Sequence, residues 1–210
     1  MIEIRRYTAA EGRDVFGEWL ANLADLKARA RIAVRIDRLA GGNFGDSKSI
    51  GEGLHELRID WRPGYRVYYG DNRNGLRAAL VRRGQTQTVC GYQESAGILE
   101  GLQEKDGVGM KRKPGISHDQ AMAKELRENP EFAVEYLRAA LEEGDDPRIL
   151  LIALRRIAES RGGVAKVAKE AGIERESLYR ALSAKGNPRL STLVAVIKAV
   201  GLRLTVEMAH

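Results

Sequence analysis

The apolar positions of this 210-residue chain change their spacing once, near residue 110. Before that point the periods are mixed. MIEIRRY alternates as a strand does, with Ile2 and Ile4 on one face, whereas VFGEWLANL and LKARARIAVRIDRLA set Phe16, Leu20, Leu23, Leu26, Ile32, Ile36 and Leu39 at helical spacing. GGNFGDSKSIGEG reads as a glycine-rich loop. After it, LHELRID, GYRVYYGD and GLRAALV read as three short strands joined by the tight turns RPG and DNRNG. The predicted order is strand, helix, helix, strand, strand, strand.

Beyond residue 110 the strand signal vanishes. DQAMAKELREN, EFAVEYLRAALEE, PRILLIALRRIAESR, VAKVAKEAG, RESLYRALS and LSTLVAVIKAVG each carry an apolar stripe at helical spacing. Their ends are marked by Asn129-Pro130, Gly144 with Pro147, Gly162-Gly163, Gly172, Gly186 with Pro188, and Gly201. Five or six short helices with short connections predict an all-α domain. Between the halves lies GVGMKRKPG, where Met110 is followed by a basic run and closed by Pro114-Gly115. Such a run buries no apolar surface and reads as a linker or as a former amino terminus. The fold class is therefore α+β: residues 1–98 with a strand, two helices and an antiparallel sheet, a flexible linker over 99–117, and an all-α domain over 118–210.

Residues 164–183, VAKVAKEAGIERESLYRALS, carry a more specific pattern. A helix with small Ala165 and Ala168 ends at Gly172, Ile173 plugs the turn, and a second helix starts near Glu174. Two helices joined by a short glycine-containing turn are the form of the DNA-binding helix-turn-helix. Arg175, Ser177, Tyr179 and Arg180 then lie on or beside the exposed face of the second helix, with Lys185 and Asn187 placed for phosphates. The plainer alternative is a helical hairpin whose arginines are merely solvated. Residues 135–204 resemble the HigA-like antitoxins, also called addiction-module antidote proteins, and SLYRALSAKGNPRLSTLVAVIKAVGLRL is specific to that family. The resemblance implies operator binding as an autorepressor, and dimerisation on a palindrome.

In the first half, alternation puts His55 with Leu57 and Ile59, and Glu56 with Arg58 and Asp60. Tyr65, Val67 and Tyr69 share one face of the next strand, and Arg66 and Tyr68 the other. If the strands pair across RPG, Arg58 and Arg66 share the open face, where two guanidiniums and an aromatic ring suit a phosphate and a base. The same residues also suit an ordinary solvated sheet face. FGEWLANL, ARARIAVRIDRLAGGNFGD and GEGLHELRIDWRPGYRVYY make residues 1 to about 80 similar to the RelE/ParE superfamily of toxins, in its HigB-like branch.

RelE-type members cut messenger RNA on the ribosome without metal or cofactor, through attack of a 2′-hydroxyl on the adjacent phosphate. The resemblance implies that Arg58, Arg66 and Tyr68 carry this chemistry, the arginines as stabilisers of negative charge, because a guanidinium does not deprotonate near neutrality. His55, grouped with the core-facing residues, suits a structural role. The expected whole is a ribonuclease-type toxin neutralised by a tethered antidote, in contact with it within one chain or by exchange between two. The alternatives are a transcription repressor with an inactive toxin relic, and a non-enzymatic RNA- or ribosome-binding module.

Composition narrows this little further. A net charge of +6 tilts towards anionic partners such as RNA and DNA. Cys90 is the single cysteine, which excludes an internal disulfide framework and points to a reducing cytoplasm. No apolar run approaches the roughly 18 residues that cross a membrane, and MIEIRRYTAAEG lacks the apolar core of a secretion signal.

One segment departs from the toxin family, whose members end in a strand like LLLCGGDK and a basic helix. This chain instead reads LVRRGQTQTVCGYQESAGILEGLQEKDGVG. Residues 81–109 can be reverse-translated so that the frame one base later gives CGGDKRRQSADIKRARGYWKDYKRRTE and then a stop, just before the codon for Met110. As written, Arg82, Arg83 and Lys105 stand against Glu94, Glu100, Glu104 and Asp106, a net of −1, whereas the alternative peptide carries +6. A one-base frame change near Val81, joining a toxin gene to an antitoxin gene, accounts for both the lost basic tail and the internal Met110. Sequencing the coding DNA tests this: codons 81–109 are expected to spell that tail and stop in the second frame, and codons that cannot do so exclude the frame change.

Overall fold

Alternation in LHELRI and YRVYYGDN becomes the centre of a six-stranded sheet. In this computed structural model, residues 2–6, 8, 12–51, 53–72, 75–83, 115–144, 146–206 and 208 are described. They fall into two compact units, Met1–Ala121 and Met122–His210. The DNRNG turn tip, most of the atypical tail with Cys90, and the expected linker up to Pro114 lie outside the described residues.

The first unit runs β1 (Ile4–Arg6), α1 (Val15–Ala21), α2 (Leu26–Ala40), β2 (Ser47–Gly51), β3 (Leu54–Ile59), β4 (Tyr65–Asn72), β5 (Gly75–Arg83) and β6 (Ile116–Ser117). The sheet order is β2-β3-β4-β5-β1-β6. Neighbouring strands are antiparallel except β1 and β5, which run parallel, Ile4 against Leu76. A parallel pair requires a long crossover, and the helices and strands between β1 and β5 supply it.

Two strands depart from the sequence-based expectation. SKSIG, expected within a glycine-rich loop, forms β2 against β3, with its register shifting between Ser49 and Gly51. Its Ser47 hydroxyl lies 2.6 Å from the Tyr69 hydroxyl. Pairing with an available edge thus outweighs the weak local preference of glycine and serine. Ile116 and Ser117, expected as the end of the linker, pair with β1 as β6.

The apolar stripes of α1 and α2 cover one face of the sheet. Phe16, Leu20, Ala28, Ile32, Ile36 and Leu39 pack into one core with Ile4, Leu57, Ile59, Tyr65, Val67 and Tyr69. Asp14 and Asp25 start the two helices by accepting the backbone N–H of Gly17 at 2.8 Å and of Ala28 at 3.0 Å.

The second unit is helical. Helix α3 (His118–Glu128) runs across the division between the units, followed by α4 (Pro130–Glu142), α5 (Pro147–Ser160), α6 (Val164–Ala171), α7 (Arg175–Ala181) and α8 (Leu190–Ala199). Asn129 and Asp146 cap α4 and α5, each with proline in the first turn, where its missing N–H costs nothing. Phe132 and Tyr136, both fully buried, stack at 6.0 Å, and Leu154, Ile157, Val167, Leu178 and Val196 are buried with them. Among the described residues no helix is long and apolar enough to cross a membrane, and no three His, Cys, Asp or Glu stand together as metal ligands.

Face assignment along β3 has a measurable consequence. Leu57→Ala is expected to lower stability by about 2–5 kcal/mol in urea denaturation, because Leu57 is 1% exposed. Exposed Asp60→Ala, three residues on, is expected to stay within about 0.5 kcal/mol.

Candidate nucleic-acid interfaces

Register between β3 and β4 puts Arg58 directly opposite Arg66, and Glu56 opposite Tyr68. These four residues occupy the sheet face turned away from Leu57, Ile59, Tyr65 and Val67. The two guanidiniums are partly open to solvent, whereas the Glu56 side chain is only 11% exposed. Arg58 Nε donates to Glu56 Oε1 at 2.9 Å, and the Arg66 Nε stands 3.7 Å from the same oxygen. The Tyr68 hydroxyl donates to the other carboxylate oxygen at 3.1 Å. The arginine pair and Tyr68 are thus brought together as the sequence suggests.

Glu56 is the member that sequence reasoning gave no role. Its burial works to raise the carboxyl pKa, but the hydrogen bonds from Arg58 and Tyr68 and the charge of Arg66 outweigh this and hold it below the usual range. It is ionised at neutral pH. The signal was present in the pattern as Glu-x-Arg on one strand and Arg-x-Tyr on the next, yet it becomes legible only once the register is known. On the other side of β4, the register partner of Arg66 is Arg82 of β5, so three arginine positions run in one row across the sheet. His55 pairs with Tyr69 on the core face, their rings stacked at 5.1 Å, as its alternation suggests.

In the second unit, α6 and α7 form a tight helical hairpin. Gly172 ends α6 in the left-handed region at φ +67°, a conformation glycine adopts without steric penalty. Ile173 follows, half-buried, its N–H donating to the Ala168 carbonyl at 2.9 Å. The Glu174 carboxylate then caps α7, accepting the N–H groups of Glu176 at 3.0 Å and Ser177 at 2.7 Å. Those bonds hold its carboxyl below the ordinary range. Leu178 is fully buried and fixes which side of α7 faces inwards.

Arg175, Tyr179 and Arg180 are exposed on the outer side, and Ser177 is half-buried beside them. The Arg175 guanidinium lies 5.5 Å from the Tyr179 ring centre, and Arg180 Nη2 donates to the Ser177 hydroxyl at 3.4 Å. Lys185 and Asn187 are exposed in the loop after α7. Two guanidiniums, a phenol and a lysine therefore lie within three helical turns of chain, with Glu174 and Glu176 as the acidic residues among them.

Comparison with known proteins bears on this second unit. Residues 118–208 match the family model of the probable addiction module antidote protein. A protein of Haemophilus influenzae, described only as uncharacterized, is 49% identical over 73 residues, which is 35% of this chain and 73% of that relative. A second uncharacterized protein of the same strain is 41% identical over 75 residues, 36% of this chain and 75% of the relative. No solved structure matches significantly. Through residues 118–208, the chain belongs to the probable addiction module antidote protein family.

Proposed function

We propose that this chain is a toxin–antitoxin module in one polypeptide: a RelE-type ribonuclease half over residues 1–98, neutralised by a tethered HigA-like half over 118–210 that also binds operator DNA. What carries the proposal is that an antidote-family segment follows, in the same chain, a sheet that sets Arg58 opposite Arg66 around an ionised carboxylate.

The chemistry follows from those groups. An RNA phosphate approaching the open face replaces Glu56 as the counter-charge of the two guanidiniums, which are fixed where negative charge grows as the 2′-oxygen bonds to phosphorus, giving its proton to water, and the P–O5′ bond breaks, the leaving 5′-oxygen taking a proton from water. Tyr68 lies beside them, held by its hydrogen bond to Glu56. Glu56 stays ionised near neutrality and orients Arg58 and Arg66, and its lowered carboxyl pKa makes it a positioning group rather than a proton acceptor. In the antidote half, Arg175, Ser177, Tyr179 and Arg180 face a DNA groove and Lys185 a phosphate. A dimer of such halves meets a near-palindrome with half-sites about one helical turn apart.

The chain as it stands is expected to be nearly silent as a nuclease. A covalently joined antidote has a local concentration of order millimolar, so the active face is rarely free. The basic tail of the toxin family is also absent, and losing one charge-stabilising group costs about 10²–10³ in rate. This same absence favours a second reading, a DNA-binding repressor whose first half is an inactive relic. Slowed growth with a low level of shortened transcripts on expressing residues 1–109 supports the module, and no effect on growth or transcripts supports the repressor.

A ribosome-dependent cleavage assay separates the contributions. The whole chain and residues 1–109 are expected to cut at most weakly. Residues 1–80 carrying the alternative-frame tail are expected to cut strongly, and to lose that cutting with Arg66→Ala. Strong cutting by residues 1–109 shows that the tail is dispensable.

For the antidote half, a gel shift against the DNA upstream of the gene is expected to show salt-sensitive binding. Arg180→Ala is expected to weaken it by about tenfold or more. Binding that ignores both salt and Arg180 contradicts the assignment of α7 as the reading helix.

A further inference from the structure

We propose that residues 115–118 are a docking element, by which the leading segment of the antidote half adds a strand to the toxin-like sheet and plugs a histidine into its core. The element lies wholly within the first unit, although the antidote-family match begins at its last residue, His118.

The strand addition is direct. Ser117 pairs with Arg5 and Ile116 with Arg6, antiparallel, on the side of β1 away from β5. Without β6, the three-residue β1 would present an open edge of unpaired backbone groups. Gly115 comes so close to β1 that a Cβ there would overlap the Arg6 carbonyl. Its own carbonyl accepts from Arg5 Nη1 at 3.3 Å. This is the arrangement by which extended peptides are captured at sheet edges, with backbone bonds giving affinity and side-chain pockets giving selectivity.

The pocket belongs to His118, which is fully buried. Arg6 Nε donates to His118 Nδ1 at 3.3 Å, and His118 Nε2 stands 3.9 Å from the buried Asp37 of α2. Arg6 also pairs with Asp14, the cap of α1, at 3.2 Å, and its guanidinium lies 5.4 Å from the centre of the Phe16 ring. A row of Asp14, Arg6, His118 and Asp37 thus ties α1, β1 and α2 to the first residue of α3. Burying a histidine costs free energy unless polar groups meet it, and here the hydrogen bond to Nδ1 and the carboxylate near Nε2 come from Arg6 and Asp37, more than 80 positions away in sequence. A segment that served only as a tether would need neither a glycine fitted to a backbone nor a histidine fitted to a charge network.

The role in neutralisation rests on the toxin–antitoxin reading, whereas the association itself does not, so the experiment reads association alone. A protease recognition sequence is placed between residues 95 and 105 of the full chain and cut after purification, and the affinity of the two pieces is measured by titration. The wild-type pieces are expected to stay together at about 1 μM. Gly115→Val and His118→Ala are each expected to weaken them by about tenfold or more, with His118→Gln losing less. Wild-type pieces that part freely, or an affinity unchanged in both variants, overturn the proposal.

Hydrogen exchange on the intact wild-type chain tests the same contact without any substitution. Slow exchange at whichever of Ile116 and Ser117 turns its N–H towards β1 supports docking, and exchange of both at the rate of an unstructured peptide overturns it. Neither measurement depends on whether the sheet cuts RNA or α7 binds DNA.

Discussion

Two guanidiniums facing each other across adjacent strands repel, and like charges directly opposite destabilise a sheet. In this chain the register that produces that repulsion is also the one that builds the core. With Arg58 opposite Arg66, Leu57, Ile59, Tyr65 and Val67 turn inwards together. A one-residue slip would send the apolar set to solvent. The conflict is resolved locally by Glu56, two residues before Arg58 on the same face, with its carboxylate between both arginines and under the Tyr68 hydroxyl. Sheltering that carboxylate has its own cost, which the hydrogen bonds from Arg58 and Tyr68 and the charge of Arg66 offset. A face dictated by packing thereby becomes a fixed, partly exposed positive site with an ionised carboxylate beside it.

Arg6 plays a comparable part at the other end of the sheet. It is buried, and it reaches Asp14 on one side and His118 on the other while lying over Phe16. A buried guanidinium is tolerable only when its donors are taken up. Its partners come from the helix cap that follows β1 and from a segment that sequence alone assigns to the other half. The network therefore fixes positions more than it adds stability, since ion pairs shielded from water gain little beyond what their desolvation costs.

What was legible in the sequence was what depends on nearest neighbours. The alternation of β3 and β4, the helical spacing of Phe16 to Leu39, the glycine at the α6–α7 turn and the proline starts of α4 and α5 are all encoded within a few residues. What escaped depends on pairing at a distance. SKSIG is a weak strand former that becomes β2 because β3 offers it an edge. The parallel pairing of β1 with β5 joins positions about 70 residues apart, and β6 joins positions about 110 apart. Glu56 lay in plain view as a solvent-facing acid, and only the cross-strand partners Arg66 and Tyr68 reveal what it does. Ile173 shows the reverse: the turn was evident, yet the residue is half-buried and leans on a backbone bond to Ala168 as much as on burial.

On the toxin–antitoxin reading, joining the halves changes what their contact must achieve. Separate chains at nanomolar concentration need an interface worth about 12 kcal/mol to stay bound. A tethered partner at an effective concentration of order millimolar needs only about 4. Selection on the joined chain then bears less on total affinity and more on correct docking, and a short strand with one buried histidine meets that demand. Gly115 and His118 commit little apolar area, but they accept one register only: a shift of β6 by one residue would bring a Cβ against the Arg6 carbonyl or take the imidazole away from Arg6 and Asp37. Tethering supplies the concentration, and the anchor supplies the geometry.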